Sequence, residues 1–451
     1  MQTLDRRRIP VQLGILLTFF CIPFWYRMSY AAPARHPLYA YGFLITLPVL
    51  WTIFTWILAG FPGAKSLVRD RLRLLWVILL VALFCWMYVS VNWSFINRVR
   101  DLPEVAQSAS LQFLLVVSWA IVVVCASPPP RAIVFVLIMS GVFHAIIGGL
   151  QVAEQGSLGL KFLHEFQLNP AVSGVSIIQS GDVRWLRPYG LQSHPNVFAG
   201  ALLMSLMACV AGIIHPNRRI RWLSTGAFLL ILWVFLLTFS RGAWLGFIAG
   251  CVALLPMLLR TPLKQTAARW GLATAIVLSI LAGGGFITIY KDYLISRAQV
   301  GSSTEMRSVA DRIVFTDFAL RAASSSSQNT LIGIGAGNFP WRSSYYLVGT
   351  NYDLRGNNVH QIWLTVFVEL GAVGFLMFSL GTMLGLEGGL RQFKRDGAVE
   401  RALFIAIIVA LGVIGLVDHY PVTMVQFQLA WWGLLGAAMC PVMQKSPQQN
   451  G

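Results

Sequence analysis

Twelve blocks of apolar residues, each long enough to cross a lipid bilayer, decide what this chain can fold into. They run roughly over 10–28, 38–60, 73–92, 105–126, 132–153, 195–214, 222–239, 243–259, 270–290, 359–386, 402–418 and 424–443. A helix needs roughly 20 apolar residues to cross the hydrocarbon layer. Lipid offers the backbone no water to bond, so each block has to satisfy its amides internally, as a helix. Charged residues are 11% of the 451 and apolar ones 57%, whereas a soluble domain carries roughly 25% charged residues. The expected fold is an all-α integral membrane protein with about twelve transmembrane helices. Spans one to nine occupy 1–290, a helical cap 291–358, and spans ten to twelve with a tail 359–451. The first block, with Ala31-Ala32-Pro33-Ala34 after it, has the outline of a signal peptide. Its length and its Trp25 and Tyr26 fit an uncleaved span better.

Basic residues set the orientation. Arg6–Arg8, Lys65, Arg69, Arg71, Arg73, Arg131, Arg218, Arg219, Arg221, Arg260, Lys264, Arg269, Arg391, Lys394, Arg395, Arg401 and Lys445 fall in alternate connections. The net charge of +17 thereby divides into +14 on one side and +3 on the other. The basic side is the cytoplasm, and it holds both termini. The charge therefore reports topology and anionic lipid, and no nucleic acid is expected as a partner. The six cysteines (Cys21, Cys85, Cys125, Cys209, Cys251 and Cys440) lie in or at the ends of the spans, where packing is their role.

Two outer segments are longer than ordinary connections: a loop over about 154–194, and the cap. Within the cap, Thr304–Ala323 has the pattern of an amphipathic helix. Val309, Ile313, Val314, Phe315 and Phe318 form its apolar side, and Arg307–Asp311 and Asp317–Arg321 are pairs at i,i+4. Thirteen of the 15 basic residues on the outer side are arginine, whose planar fork suits phosphate better than the point charge of lysine. The cytoplasmic side is also arginine-rich, 15 of 19, so general arginine usage is the alternative reading.

Arg241 is pinched between two apolar blocks in Ser240-Arg241-Gly242-Ala243. A charge there faces a polar cavity or a partner, or else snorkels to the headgroups. In Arg187-Pro188-Tyr189-Gly190-Leu191-Gln192-Ser193-His194-Pro195-Asn196, Ser193 or His194 can cap the sixth span with Pro195 in its first turn. The amides and positive dipole end of that helix then make an anion site beside Arg187 and His194. His194 is either a cap alone or also a ligand. His360 opens the tenth span, with Trp363, Leu364 and Phe367 on its helical face. It is a candidate general base, or an interfacial histidine bonded to the cap. Glu369 lies half a turn around from it and is a functional candidate as an intramembrane acid. No Asp-x-Asp clamp for a metal lies outside, and no P-loop is present. Gly333-Ile334-Gly335-Ala336-Gly337 reads as a flexible entry to Phe339-Pro340-Trp341. No metal or cofactor is expected.

The set Arg-Pro-x-Gly-x-x-x-His-Pro-Asn (187–196), Ser-Arg-Gly-Ala (240–243), Asp-Arg (311–312), Gly-x-Gly-x-Gly-Asn-Phe (333–339) and His-x-x-x-Leu-(x)4-Glu-x-Gly (360–371) resembles the bacterial O-antigen ligase and O-antigen polymerase superfamily. The resemblance covers roughly 185–420 and departs from the usual His-Asn with His360-Gln361. It implies a glycosyltransferase of the inner membrane with its active site facing the periplasm. The donor it implies is a glycan on undecaprenyl pyrophosphate, and for a ligase the acceptor is a sugar hydroxyl of lipid A-core. By motif, the family's essential residues fall on Arg241, Arg312 and His360. Together with Arg187 and His194, the two arginines would bind pyrophosphate, while His360 would act as base. Inverting, metal-independent transfer follows, since fixed guanidiniums can stabilise the leaving group. The alternatives are a polymerase, a protein O-oligosaccharyltransferase, or a transporter or flippase of lipid-linked glycans. Transporters show repeats and broken helices at the midplane, whereas here the charged features gather at the outer boundary.

Overall fold

A computed structural model of the chain describes residues 6–25, 44–94, 102–260, 266–298, 303–340, 342 and 358–441. In chain order the helices are α1 (Ile9–Cys21), α2 (Thr46–Leu58), α3 (Ala64–Arg69), α4 (Arg71–Val89), α5 (Leu102–Ala126), α6 (Pro130–Glu154), α7 (Pro195–Ile213), α8 (Arg218–Leu237), α9 (Arg241–Arg260), α10 (Thr266–Ile289), α11 (Lys291–Ala298), α12 (Ser303–Ser324), α13 (Ser327–Ile332), α14 (Ile362–Asp396), α15 (Val399–Ile414), α16 (Tyr420–Thr423) and α17 (Val425–Met439). Each apolar block of the sequence holds one of them. Among the described residues, eight helices, α4 to α10 and α14, are long and apolar enough to cross a membrane. α1, α2, α15 and α17 have 13, 13, 16 and 15 residues, which at 1.5 Å per residue is about 20–24 Å. Expectations resting on Arg27, Ala31–Ala34, Arg35, Arg98, Arg100, Arg355 and Lys445 lie outside the described residues, as do the side chains of Arg297, Arg307 and Val309.

The centre of the bundle is a column of α7, α15 and α17. α17 packs against α5, α14 and α15, while α15 packs against α7 and α9. These helices are apolar all round, as a helix enclosed by other helices has to be. α9 is two-faced instead. Leu245, Ile248, Val252, Leu255 and Leu259 are exposed along one side, a stripe suited to lipid. On the other side lie Gly242, Gly246 and Gly250. A Cβ at Gly246 would sit 2.8 Å from the Ala410 carbonyl oxygen, and one at Gly250 3.2 Å from that of Ala406. Glycine at four-residue spacing lets α9 lie against the backbone of α15, as in small-xxx-small crossings.

At one end of the bundle, two buried arginines are paired. Arg73 Nε bonds Asp70 at 2.9 Å. Arg401, 1% exposed, bonds Asp396 at 2.7 Å and the Ala438 carbonyl at 2.7 Å.

The structure departs from the sequence expectations in four places. The fold is not purely helical, because Ile177–Ser180 (β1) and Val183–Leu186 (β2) form an antiparallel hairpin within the first long loop. The amphipathic helix exists as α12, and its Asp317–Arg321 pair closes at 2.8 Å. Its buried stripe, however, is Phe315, Ala319, Ala322 and Ala323, and Ile313 is 65% exposed. The glycine segment is held in place. Ile334 N and Gly335 N donate to the carbonyls of Val368 and Glu369, and Gly337 N and Phe339 N to the Glu369 carboxylate. Glu369 therefore has a structural task, clasping the segment 333–339 to α14. Lastly, the tenth block is not one continuous helix, because Gly371 breaks α14 with φ 68°. A Cβ there would lie 2.4 Å from the Leu331 carbonyl carbon, so only glycine admits α13 at this break.

Candidate active site

Arg241 is the first residue of α9, and the connection from α8 is only Thr238-Phe239-Ser240. So tight a reversal needs a left-handed residue, and Phe239 takes φ 49°. Its ring is anchored among Trp185, Phe286 and Tyr290. The Thr238 carbonyl accepts a 2.6 Å bond from Arg187 Nε. The turn is thus fixed from both sides, and Arg241 projects from a rigid helix start.

The second element is the start of α7. His194 is its N-cap, with Nδ1 accepting from Asn196 N at 3.1 Å, and Pro195 opens the helix. Arg187 behaves differently from the expected phosphate ligand. It is 3% exposed, and besides the Thr238 bond it donates to Ser176 Oγ and Asn196 Oδ1, both at 2.8 Å. Its guanidinium ties the hairpin loop, the α8–α9 turn and α7 together, so it positions the site more than it offers itself to a ligand.

Asn196 passes the chain of bonds on to Asp418, donating from Nδ2 to Oδ2 at 3.2 Å. Asp418 lies just past the end of α15, where the glycine-tight α9–α15 crossing brings it opposite Arg241. The His419 amide donates to Asp418 Oδ1 at 2.9 Å. Beside this oxygen, at 3.8 Å, stands Nδ1 of His360, which makes no hydrogen bond. His360 is not on a helical face as expected. It precedes α14, whose first amide, Ile362 N, donates to the Gly415 carbonyl at 2.7 Å. The two chain ends that carry His360 and Asp418 are stitched together by that bond. Burial alone would raise the Asp418 carboxyl, but the surrounding imidazoles, His360 foremost, outweigh it and hold the group well below the usual carboxylate range. Burial lowers the His419 imidazole to about 4, against the opposing pull of Asp418.

These groups surround one cavity of about 440 Å³, lined by Arg187, His194, Asn196, Arg241, Arg312, Asp418 and Tyr420 among others. Arg312 enters from α12, and its Nε has no hydrogen-bond partner. Four of the five residues singled out in the sequence therefore line the same cavity, and His360 joins it through Asp418. Two helix starts, α7 and α9, also bring their positive ends to it. Asp418 and His419 escaped the sequence reading. Their signal was a polar pair interrupting the boundary between the last two apolar blocks.

Such an arrangement defines a polytopic helical membrane protein with a cationic, imidazole-edged cavity among its helix ends. Residues 226–379 match the family model described as O-antigen ligase; over that third of its length the chain carries an O-antigen ligase family domain. Arg241, Arg312 and His360 fall inside the match, and Arg187, His194 and Asp418 outside it. No curated protein matches the sequence at a significant level.

Proposed function

We propose that the chain is a glycosyltransferase that moves an O-antigen glycan from undecaprenyl pyrophosphate to a sugar hydroxyl of lipid A-core. It would act at the periplasmic face of the bacterial inner membrane, crossing twelve times with both termini in the cytoplasm. The observation that carries this is the convergence of Arg241, Arg312 and two helix N-termini on one cavity, with the His360–Asp418 pair at its edge. The pyrophosphate lies against the two arginines and His194, and Arg187 holds the wall. The acceptor hydroxyl oxygen attacks the anomeric carbon as the bond from that carbon to the pyrophosphate oxygen breaks. The hydroxyl proton passes to His360 Nε2, because Nδ1 faces Asp418, which stabilises the imidazolium that forms. The 3.8 Å separation closes to a hydrogen bond on substrate binding, as apo sites commonly do. Undecaprenyl pyrophosphate leaves with its growing negative charge against guanidiniums and helix ends, so no metal is required. One displacement inverts the anomeric centre.

The test gives purified protein lipid-linked O-antigen together with either lipid A-core or a second lipid-linked repeat, and sizes the product. A single glycan block joined to core is the expected result. Chain extension on the repeat would make the protein a polymerase, and transfer to neither acceptor would end the proposal.

A further inference from the structure

We propose that His360, Asp418 and His419 form an inhibitory binding site for a borderline divalent cation of the zinc type. One ligand atom from each of the three lies within 4.8 Å of the others. Two imidazoles and a carboxylate are a donor set that zinc, cobalt and nickel favour over magnesium or calcium.

What sets this cluster apart from a chance meeting of polar groups is the layer behind it. Thr423 Oγ1 donates to the His419 carbonyl at 3.1 Å, so at its 2.7 Å contact with His419 Nδ1 it accepts. The proton of His419 therefore sits on Nδ1, and Nε2 keeps its lone pair for a cation. Asp418 is oriented in the same manner by Asn196 Nδ2 and the His419 amide. Histidine held by an outer acceptor, and carboxylate held by outer donors, are the supports that ordered metal ligands have. His360 Nδ1, facing Asp418 without a hydrogen bond, completes the set.

The geometry closes with a small movement. A tetrahedral zinc ion with Zn–N of ~2.0–2.1 Å separates its ligand atoms by about 3.3 Å, so the widest pair has to approach by about 1.5 Å. His360 can supply this, since it precedes α14 rather than lying on it and 30% of its side chain is exposed. The fourth position stays open to the cavity for water.

Inhibition follows from proton placement and rests on the reading of His360 as the base. A neutral imidazole that coordinates through Nδ1 carries its proton on Nε2 and can accept no other. The test uses chelator-stripped, purified full-length protein titrated with Zn²⁺ by calorimetry and with Co²⁺ by visible absorption. One tight Zn²⁺ per chain is expected, with a ligand-field spectrum for Co²⁺. Affinity should fall at least tenfold in His419→Ala. In Thr423→Val, which removes the outer acceptor together with its bond to the His419 carbonyl and leaves all three ligands in place, it should fall about 10–100-fold with unchanged melting. Equal binding by wild type and both variants, or no binding by wild type, overturns the site. Turnover measured on the same samples should fall as Zn²⁺ fills the site and recover with chelator. Full turnover with the site filled overturns the inhibitory role and separately counts against His360 as base.

Discussion

Gly246→Ala adds one methyl group to α9 and tests whether the α9–α15 crossing sets the active geometry. The new Cβ would stand 2.7 Å from Ile414 Cγ1 and 2.8 Å from the Ala410 carbonyl oxygen. The isoleucine can turn aside, but the carbonyl belongs to the α15 backbone and cannot. Ordinary contact begins near 3.4 Å, so the helices have to part by about 0.6 Å. Overpacking of this kind costs about 1–3 kcal/mol, and the better helix propensity of alanine returns about 1 kcal/mol. The net destabilisation is thus about 0–2 kcal/mol. Catalysis is more sensitive, because Arg241 sits at the start of α9 and Asp418 just past the end of α15, and the shift separates them. A misplacement of about 1 Å can cost about 10²-fold, so 0.6 Å should lower turnover about tenfold. Turnover and thermal melting are measured on one preparation, with Gly226→Ala as control, since a Cβ at that glycine of α8 meets nothing within 4 Å. Wild-type turnover in Gly246→Ala, or an equal loss in Gly226→Ala, would refute the claim that this crossing positions the site.

His360→Ala should insert and melt normally, bind the donor, and lose about 10²–10⁴-fold in transfer; near-normal turnover would hand the base role to His194. Arg241→Lys and Arg312→Lys should both remain badly impaired, because the point charge of lysine does not reproduce a bidentate fork, and donor affinity measured beside turnover would expose a mere membrane anchor. Transfer should persist in excess chelator, and activity that disappears there and returns with magnesium would sink the arginine-only account of leaving-group stabilisation. Glu369→Gln keeps one acceptor but sets its side-chain NH2 against the second backbone amide. It should lower melting through about 1–3 kcal/mol for that one unsatisfied donor, with activity tracking the folded fraction; a selective loss of turnover at full stability would return Glu369 to the chemistry.

The helices were legible because lipid imposes one demand on every apolar block, and local sequence suffices to meet it. The cap of α7 was legible for a similar reason, since His194-Pro195 acts on its own neighbours. What escaped depends on contacts distant in sequence. His360 and Asp418 are 58 residues apart, and they meet because Ile362 N bonds the Gly415 carbonyl; a search for the partner carboxylate along the helix of His360 could reach only Glu369. The guanidinium of Arg187 looked available because nothing local shows that Ser176, Asn196 and Thr238 converge on it. The hairpin is a partial exception. Gly181-Asp182 between two short apolar runs is a readable turn, overshadowed by the helical pattern on either side.

The distribution of buried charge also bears on the transporter alternative. Among the described residues, the buried charged side chains are Arg73, Arg187, Arg401 and Asp418. Arg73, at the start of α4, and Arg401, at the start of α15, lie at one end of the bundle and are neutralised by Asp70 and Asp396. Arg187 and Asp418 lie at the other end, linked through Asn196. Between the two ends, α7 and α17 place Phe198, Leu202, Leu206, Phe427, Trp431 and Leu435, all nearly or wholly buried. A path for an anionic glycan would have to desolvate its charge against those side chains, at several kcal/mol per unpaired group. The break at Gly371, which could pass for the interrupted helix of a transporter, is filled by the backbone of Leu331 and Gly333 and by the Glu369 clasp. The polar cavity therefore stays at one rim, where the proposed lipid-anchored donor would present its pyrophosphate without leaving the membrane.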